Sequence, residues 1–94
     1  MKKWNSLLQD SPECCFLCGS RALLEKHHIF GGANRKLSES DGLYVMLCRP
    51  CHTGDMGVHF DKDIMQYLHE KGEMAYLKDH TLEDFRKRYG KNYL

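Results

Sequence analysis

The sequence predicts a small α+β domain: a strand hairpin tied by cysteine turns and closed by C-terminal helices. Three observations carry this. Two C-x-x-C turns, Cys15-Phe-Leu-Cys18 and Cys48-Arg-Pro-Cys51, are separated by 29 residues, positions 19–47. The run Leu43-Tyr44-Val45-Met46-Leu47 is apolar, rich in strand formers and leads straight into the second turn. Beyond residue 60, apolar residues recur at roughly helical spacing.

Ninety-four residues make one domain, 1–94, with its motifs between about 14 and 60 and its helices in about 61–94. A chain this short expects only about 5–15 kcal/mol of net stability, so a structural staple is useful. No apolar stretch approaches the ~20 residues of a membrane span, and no membrane partner is expected. Met1-Lys2-Lys3-Trp4-Asn5-Ser6 has no long apolar segment behind it, so no secretory leader is expected. Five cysteines in such a chain read as metal ligands rather than disulfides, in a reducing cytoplasm. A net charge of +1 announces no broad basic face.

Residues 1–13 read as peripheral, with Trp4, Leu7 and Leu8 on one short amphipathic turn broken at Ser11-Pro12. Gly19 suits the tight turn after Cys18, and Arg21 to Ile29 reads as a strand leading into His27-His28. Phe30 to Asp41, with Gly31-Gly32, Asn34 and Ser38-Glu39-Ser40-Asp41-Gly42, reads as loop. Strand, loop, strand and cysteine turn make an antiparallel hairpin. Thr53-Gly54-Asp55-Met56-Gly57-Val58 is too glycine-rich for a settled helix. Asp61 reads as an N-cap for a helix carrying Ile64, Tyr67, Leu68, Ala75 and Tyr76, which Gly72 either weakens by about 1 kcal/mol or ends. A last helix begins at Thr81 with a capping-box pattern, Thr81-Leu82-Glu83-Asp84. It places Leu82, Phe85 and Tyr89 on one face and closes with Lys87, Arg88 and Gly90.

Zinc prefers four soft ligands in a tetrahedron, and two C-x-x-C turns supply four thiolates. Cys15, Cys18, Cys48 and Cys51 are therefore assigned to structural Zn2+, with Cys14 the surplus thiol. The intervening segment exceeds the usual ~15–20 residues of a zinc ribbon. Something folds inside it, and it contains Glu25-Lys26-His27-His28-Ile29. Histidine serves as a base near neutral pH and as a metal ligand. Adjacent histidines on a strand point to opposite faces, so His27 and His28 have different tasks. His52 and His59 are downstream candidates for a second metal site, distinct from the zinc.

Together Cys15-x-x-Cys18, Glu25-x-His27-His28-Ile29 and Leu47-Cys48-x-x-Cys51-His52 resemble the HNH endonuclease family, whose core is the ββα-metal (His-Me finger) fold. The segments His28 to Ser38 and Gly57-Val58-His59-Phe60 are similar to small zinc-knuckle members from phages and prophages. The resemblance covers about residues 14–60 at motif strength. It implies that His28 is the general base, that His27 and His52 are ligands of a catalytic divalent metal (Mg2+, Mn2+, Ni2+ or Zn2+), and that Glu25 orients a cation or a ligand. It further implies that the metal stabilises the leaving 3′ oxygen and that the product carries a 5′ phosphate. DNA is the implied substrate, with RNA not set aside, and phage terminase or packaging proteins are implied partners in a bacterial or infected cell.

Two departures from the family pattern stand out. The middle asparagine is absent from Ser40-Asp41-Gly42-Leu43-Tyr44, which leaves its role to Asn34, to Asp41 or to backbone alone. The further helix histidine is replaced by His59, seven residues after His52, with Asp55 and Asp61 as alternatives. Arg35, Lys36 and Arg49 are candidate phosphate contacts. His69 and His80 read as packed or solvated residues, and Arg86-Lys87-Arg88 with Lys91 as a helix-end charge set. A non-catalytic zinc module that docks nucleic acid or protein is the competing reading. Substituting His28 separates the two, because only an enzyme then loses turnover while keeping its fold and metal.

Overall fold

A computed structural model describes residues 4–54 and 57–94. The order of elements is β1 (Leu24–His28), a 3-10 turn (Gly32–Asn34), α1 (Arg35–Ser40), β2 (Tyr44–Cys48), α2 (Arg49–His52), α3 (Lys62–Tyr76) and α4 (Leu82–Tyr89). The fold is α+β with a two-stranded antiparallel sheet in which Leu24 faces Cys48 and His28 faces Tyr44. This register sets the start of β1 beside the second cysteine turn and the histidine pair at the opposite end. Among the described residues no helix is long and apolar enough to cross a membrane.

The expected strands are present, but residues 30–41 are not a loop. Within them, Gly32–Asn34 form the 3-10 turn and Arg35–Ser40 form α1. The reason lies at Ser38, fully buried, whose Oγ accepts from the Phe30 amide at 3.2 Å and donates to the Leu43 carbonyl. The Asp41 amide then closes the helix on Leu37 at 2.9 Å. Gly42, at φ +73, turns the chain into β2, and a Cβ there would lie 2.5 Å from the Asn5 carbonyl oxygen. Tertiary hydrogen bonds thus hold six residues that propensity alone reads as turn.

The amino-terminal segment also departs from expectation. Trp4, Leu7 and Leu8 form no helical turn; residues 5–9 instead lie along β2. The Leu7 amide donates to Gly42 at 2.8 Å, and Gln9 Oε1 accepts from the Met46 amide at 2.8 Å. The Phe16 amide donates to the Met46 carbonyl at 2.8 Å. These bonds satisfy the outer edge of β2, which would otherwise stand open. Trp4 meets Tyr44 edge-on at 5.0 Å, so both faces of β2 are covered and Tyr44 and Val45 are both buried.

The core gathers Ile29, Phe30, Leu43, Val45, Leu47, Val58, Leu68, Tyr76, Phe85 and Tyr89. Asp61 caps α3, its carboxylate accepting from the Asp63 and Ile64 amides. Gly72 neither ends this helix nor stands at its surface. It is buried inside α3, where an added Cβ would come within 2.6 Å of Ile29 Cγ2. The glycine lets the helix approach the residue that follows the histidine pair. Thr81 and Asp84 form a reciprocal capping box on α4, and Gly90 closes it at φ +78. Phe85 and Tyr89 are buried, while Leu82, at the start of α4, is exposed. Asp41 accepts from Arg88 at 2.6 and 2.9 Å and from the Tyr89 hydroxyl at 2.6 Å, which fastens α4 to the α1–β2 turn.

Candidate functional site

Two clusters of side chains that could hold a metal ion draw on the hairpin and α2. The sulfurs of Cys15, Cys18, Cys48 and Cys51 all lie within 4.8 Å of one another, and none is in a disulfide. Gly19, at φ +80, makes the first turn, whose Cys15 amide donates to Ser20 at 2.7 Å. Cys18 and Cys48 Sγ are 3.5 Å apart. A zinc tetrahedron with Zn–S of about 2.3 Å has edges of about 3.8 Å, so the quartet fits a structural metal such as zinc. Burial pushes the Cys15 thiol up, but backbone donors from Cys48, Cys18 and Leu17 outweigh it and bring it to about 6. Burial and the neighbouring sulfurs push Cys51 upward. A bound divalent ion lets all four ionise together. Cys14 is half-buried and outside the quartet.

The second cluster is His27, His52 and His59, whose ring nitrogens also lie within 4.8 Å of one another. β1 carries His27, α2 ends on His52, and the turn after it delivers His59. The ring of His27 stands 5.2 Å from that of His52 and 5.5 Å from that of His59, and the last two are 4.7 Å apart. His59 reaches His52 because the chain doubles back after α2. The Val58 amide donates to Cys51 at 2.8 Å and the His59 amide to His52 at 3.3 Å. A Cβ on Gly54 or Gly57 would lie 2.8 Å from a carbonyl oxygen, of Pro50 and His52 respectively. Both glycines therefore permit a close approach to the α2 backbone.

His27 is 4% exposed, and its Nε2 is buried with no hydrogen-bond partner among the described residues. Burial first, then the neighbouring histidines, lower its pKa to about 3, so it presents a neutral ring with a free electron pair. Burial and His52 lower His59 as well. Glu25 Oε1 lies 2.9 Å from His52 Nδ1. An ionised carboxylate only accepts, so Nδ1 carries the proton and Nε2 faces the cluster. That bond to His52, followed by Arg49, holds Glu25 below the usual carboxylate range. Orphaned nitrogen, neutral rings and a carboxylate-oriented ligand together fit a divalent transition metal.

A cleft of about 440 Å³ opens over the histidines and is also lined by Lys26, His28, Arg35 and His69. Of the candidate phosphate contacts, Arg35 reaches the cleft, Lys36 does not line it, and Arg49 lies 3.5 Å from Glu25 Oε2. Asn34 does not line the cleft, and its Nδ2 donates to the Tyr89 carbonyl at 3.2 Å. Asp41 is held by Arg88 and Tyr89. Asp61 is spent on its helix cap, and Asp55 lies outside the described residues.

Three contributors escaped sequence reasoning. His69, read as packed or solvated, stacks on Phe30 at 5.4 Å yet lines the cleft. Lys26 lines it too, with its Nζ 4.4 Å from the centre of the Tyr44 ring. Glu39 Oε1 lies 2.7 Å from His28 Nε2. Lys26 and His28 were legible as neighbours of His27 on β1, whereas Glu39 and His69 depend on where α1 and α3 pack. No protein family model, curated protein or solved structure matches this chain.

Proposed function

We propose that this protein is a metal-dependent endonuclease of the HNH type, with a ββα-metal core, acting on DNA. The observation that carries the reading is the meeting of His27, His52 and His59 in one cleft with His28 on its wall. The order of the parts supports it: two antiparallel strands, then a short helix carrying a histidine, with a cysteine quartet that joins the segment before β1 to the end of β2 and to that helix.

In this reading His28 accepts the proton of the attacking water. His27, His52 and His59 would hold a divalent ion, which would supply positive charge at the scissile phosphate and the leaving oxygen. Glu25 keeps His52 in the ligating tautomer. Arg35 and Lys26 offer positive charge at the mouth of the cleft, where a phosphate backbone would lie. The thiolate zinc fixes both ends of the β1–β2 segment and takes no part in chemistry.

The test is supercoiled plasmid and linear duplex incubated with protein carrying only its structural zinc, with Mg2+, Mn2+, Ni2+, Zn2+ or no further ion added. Nicking that requires a divalent ion and vanishes in His28→Ala supports the enzyme. Intact substrates in every reaction, with zinc bound and the fold retained, would favour a non-catalytic zinc module. RNA substrates and co-purification with DNA-packaging proteins extend the same test to the substrate and partner.

A further inference from the structure

We propose that Glu39 is the positioning residue for His28, fixing which ring nitrogen takes the proton; this rests on the endonuclease reading above. His28 Nε2 and Glu39 Oε1 are 2.7 Å apart. An ionised carboxylate accepts only, so Nε2 carries the hydrogen and Nδ1 is left with the free electron pair. The same carboxylate stabilises the imidazolium once a proton has arrived.

The surroundings suit this task. His28 is mostly covered, its side chain 12% exposed, while that of Glu39 is 47% exposed. Glu39 belongs to the last turn of α1 and its neighbours are pinned. Ser38 is buried and bonded to Phe30 and Leu43 on one side, and Asp41 is clamped by Arg88 and Tyr89 on the other. Lys26 Nζ reaches Glu39 Oε1 at 3.1 Å and Oε2 at 3.4 Å, so two donors converge on Oε1. The bond to His28 is the chief cause that holds Glu39 below the usual carboxylate range.

The test uses the zinc-loaded full chain with 15N-labelled histidine, as wild type, Glu39→Ala and Glu39→Gln. Long-range 15N–1H spectra should place wild-type His28 in the Nε2–H form. Glu39→Ala should release it into a mixture. Glu39→Gln should retain it, because Lys26 and His28 both present a donor to the one amide oxygen. In cleavage assays Glu39→Ala should lower kcat with KM little changed, by at most the about 10⁴-fold that loss of a base histidine's carboxylate partner costs, and Glu39→Gln should recover part of the loss. A wild-type His28 in the Nδ1–H form, or a His28 unchanged in Glu39→Ala, overturns the positioning role. A tautomer shift at unchanged kcat overturns its part in turnover. A tautomer shift in a protein that cleaves nothing retains the positioning and removes the nuclease reading, so the two failures are distinguishable.

Discussion

Glu25 Oε1 lies 2.9 Å from His52 Nδ1, so a carboxylate on β1 orients the ring just beyond the second cysteine turn. The two residues are distant in sequence and are brought together because Leu24 pairs with Cys48. Metal-ligating histidines usually carry such a partner on their second nitrogen, and its loss weakens metal binding by about 10–100-fold. Glu25→Ala should therefore weaken Mn2+ or Ni2+ at the histidines by about that factor. Zinc on the thiolates should be unaffected. Titration calorimetry on zinc-loaded protein checks both halves.

The thiolate quartet is expected to hold the fold together. Structural zinc contributes on the order of 10 kcal/mol in small domains, comparable with the whole stability of a chain this size. Chelation at neutral pH, or Cys51→Ser, should abolish cooperative unfolding and much of the far-UV circular dichroism. One tightly held zinc per chain should accompany the folded state. A folded, zinc-free protein with an unchanged melting transition would contradict this.

His27 makes an acid-labile site. Its folded pKa is about 3 against 6.5 for the free group, because burial and the neighbouring histidines oppose its charge. Between those values the unfolded chain binds a proton that the folded chain does not. The contribution of His27 is therefore complete above about pH 6.5 and is lost progressively as the pH falls toward 3. With nothing bound to the histidines, the melting temperature should decline as the pH drops from about 7 to 5. His27→Gln should flatten that decline, and thermal melts across the range measure it.

Gly72→Ala should destabilise, although alanine is the better helix former. Helix propensity favours the change by about 1 kcal/mol, but the new methyl meets Ile29 Cγ2 at 2.6 Å in a fully packed region. Overpacking usually costs about 1–3 kcal/mol, so a net loss of about 1 kcal/mol is expected in chemical denaturation. A gain in stability would mean that Ile29 moves aside freely.

Much of this was legible where local chemistry and final structure agree. The cysteine turns, the strand into Cys48, the Asp61 cap and the Thr81–Asp84 box depend on neighbours in sequence, and each formed where the residues said. Elsewhere distant contacts decide. Ser38-Glu39-Ser40-Asp41-Gly42 carries turn chemistry, yet a buried serine hydroxyl makes part of it helix. Glu39 was invisible because its meaning depends on that helix. His69 lines the cleft from α3, the helix whose Gly72 packs closely on Ile29. Asn34, weighed for the family's middle position, is engaged by the Tyr89 carbonyl through a helix tens of residues away.

The central claim is that His28 performs the chemistry while His27, His52 and His59 hold the ion. The most direct measurement is single-turnover cleavage of end-labelled duplex DNA by wild type and His28→Ala, with the metal content of both sites determined in each. Equal occupancy of both sites in the two proteins is expected, with a loss of about 10²–10⁴-fold in rate for His28→Ala. Equal rates at equal occupancy, or no cleavage by wild type with both sites filled, would contradict it.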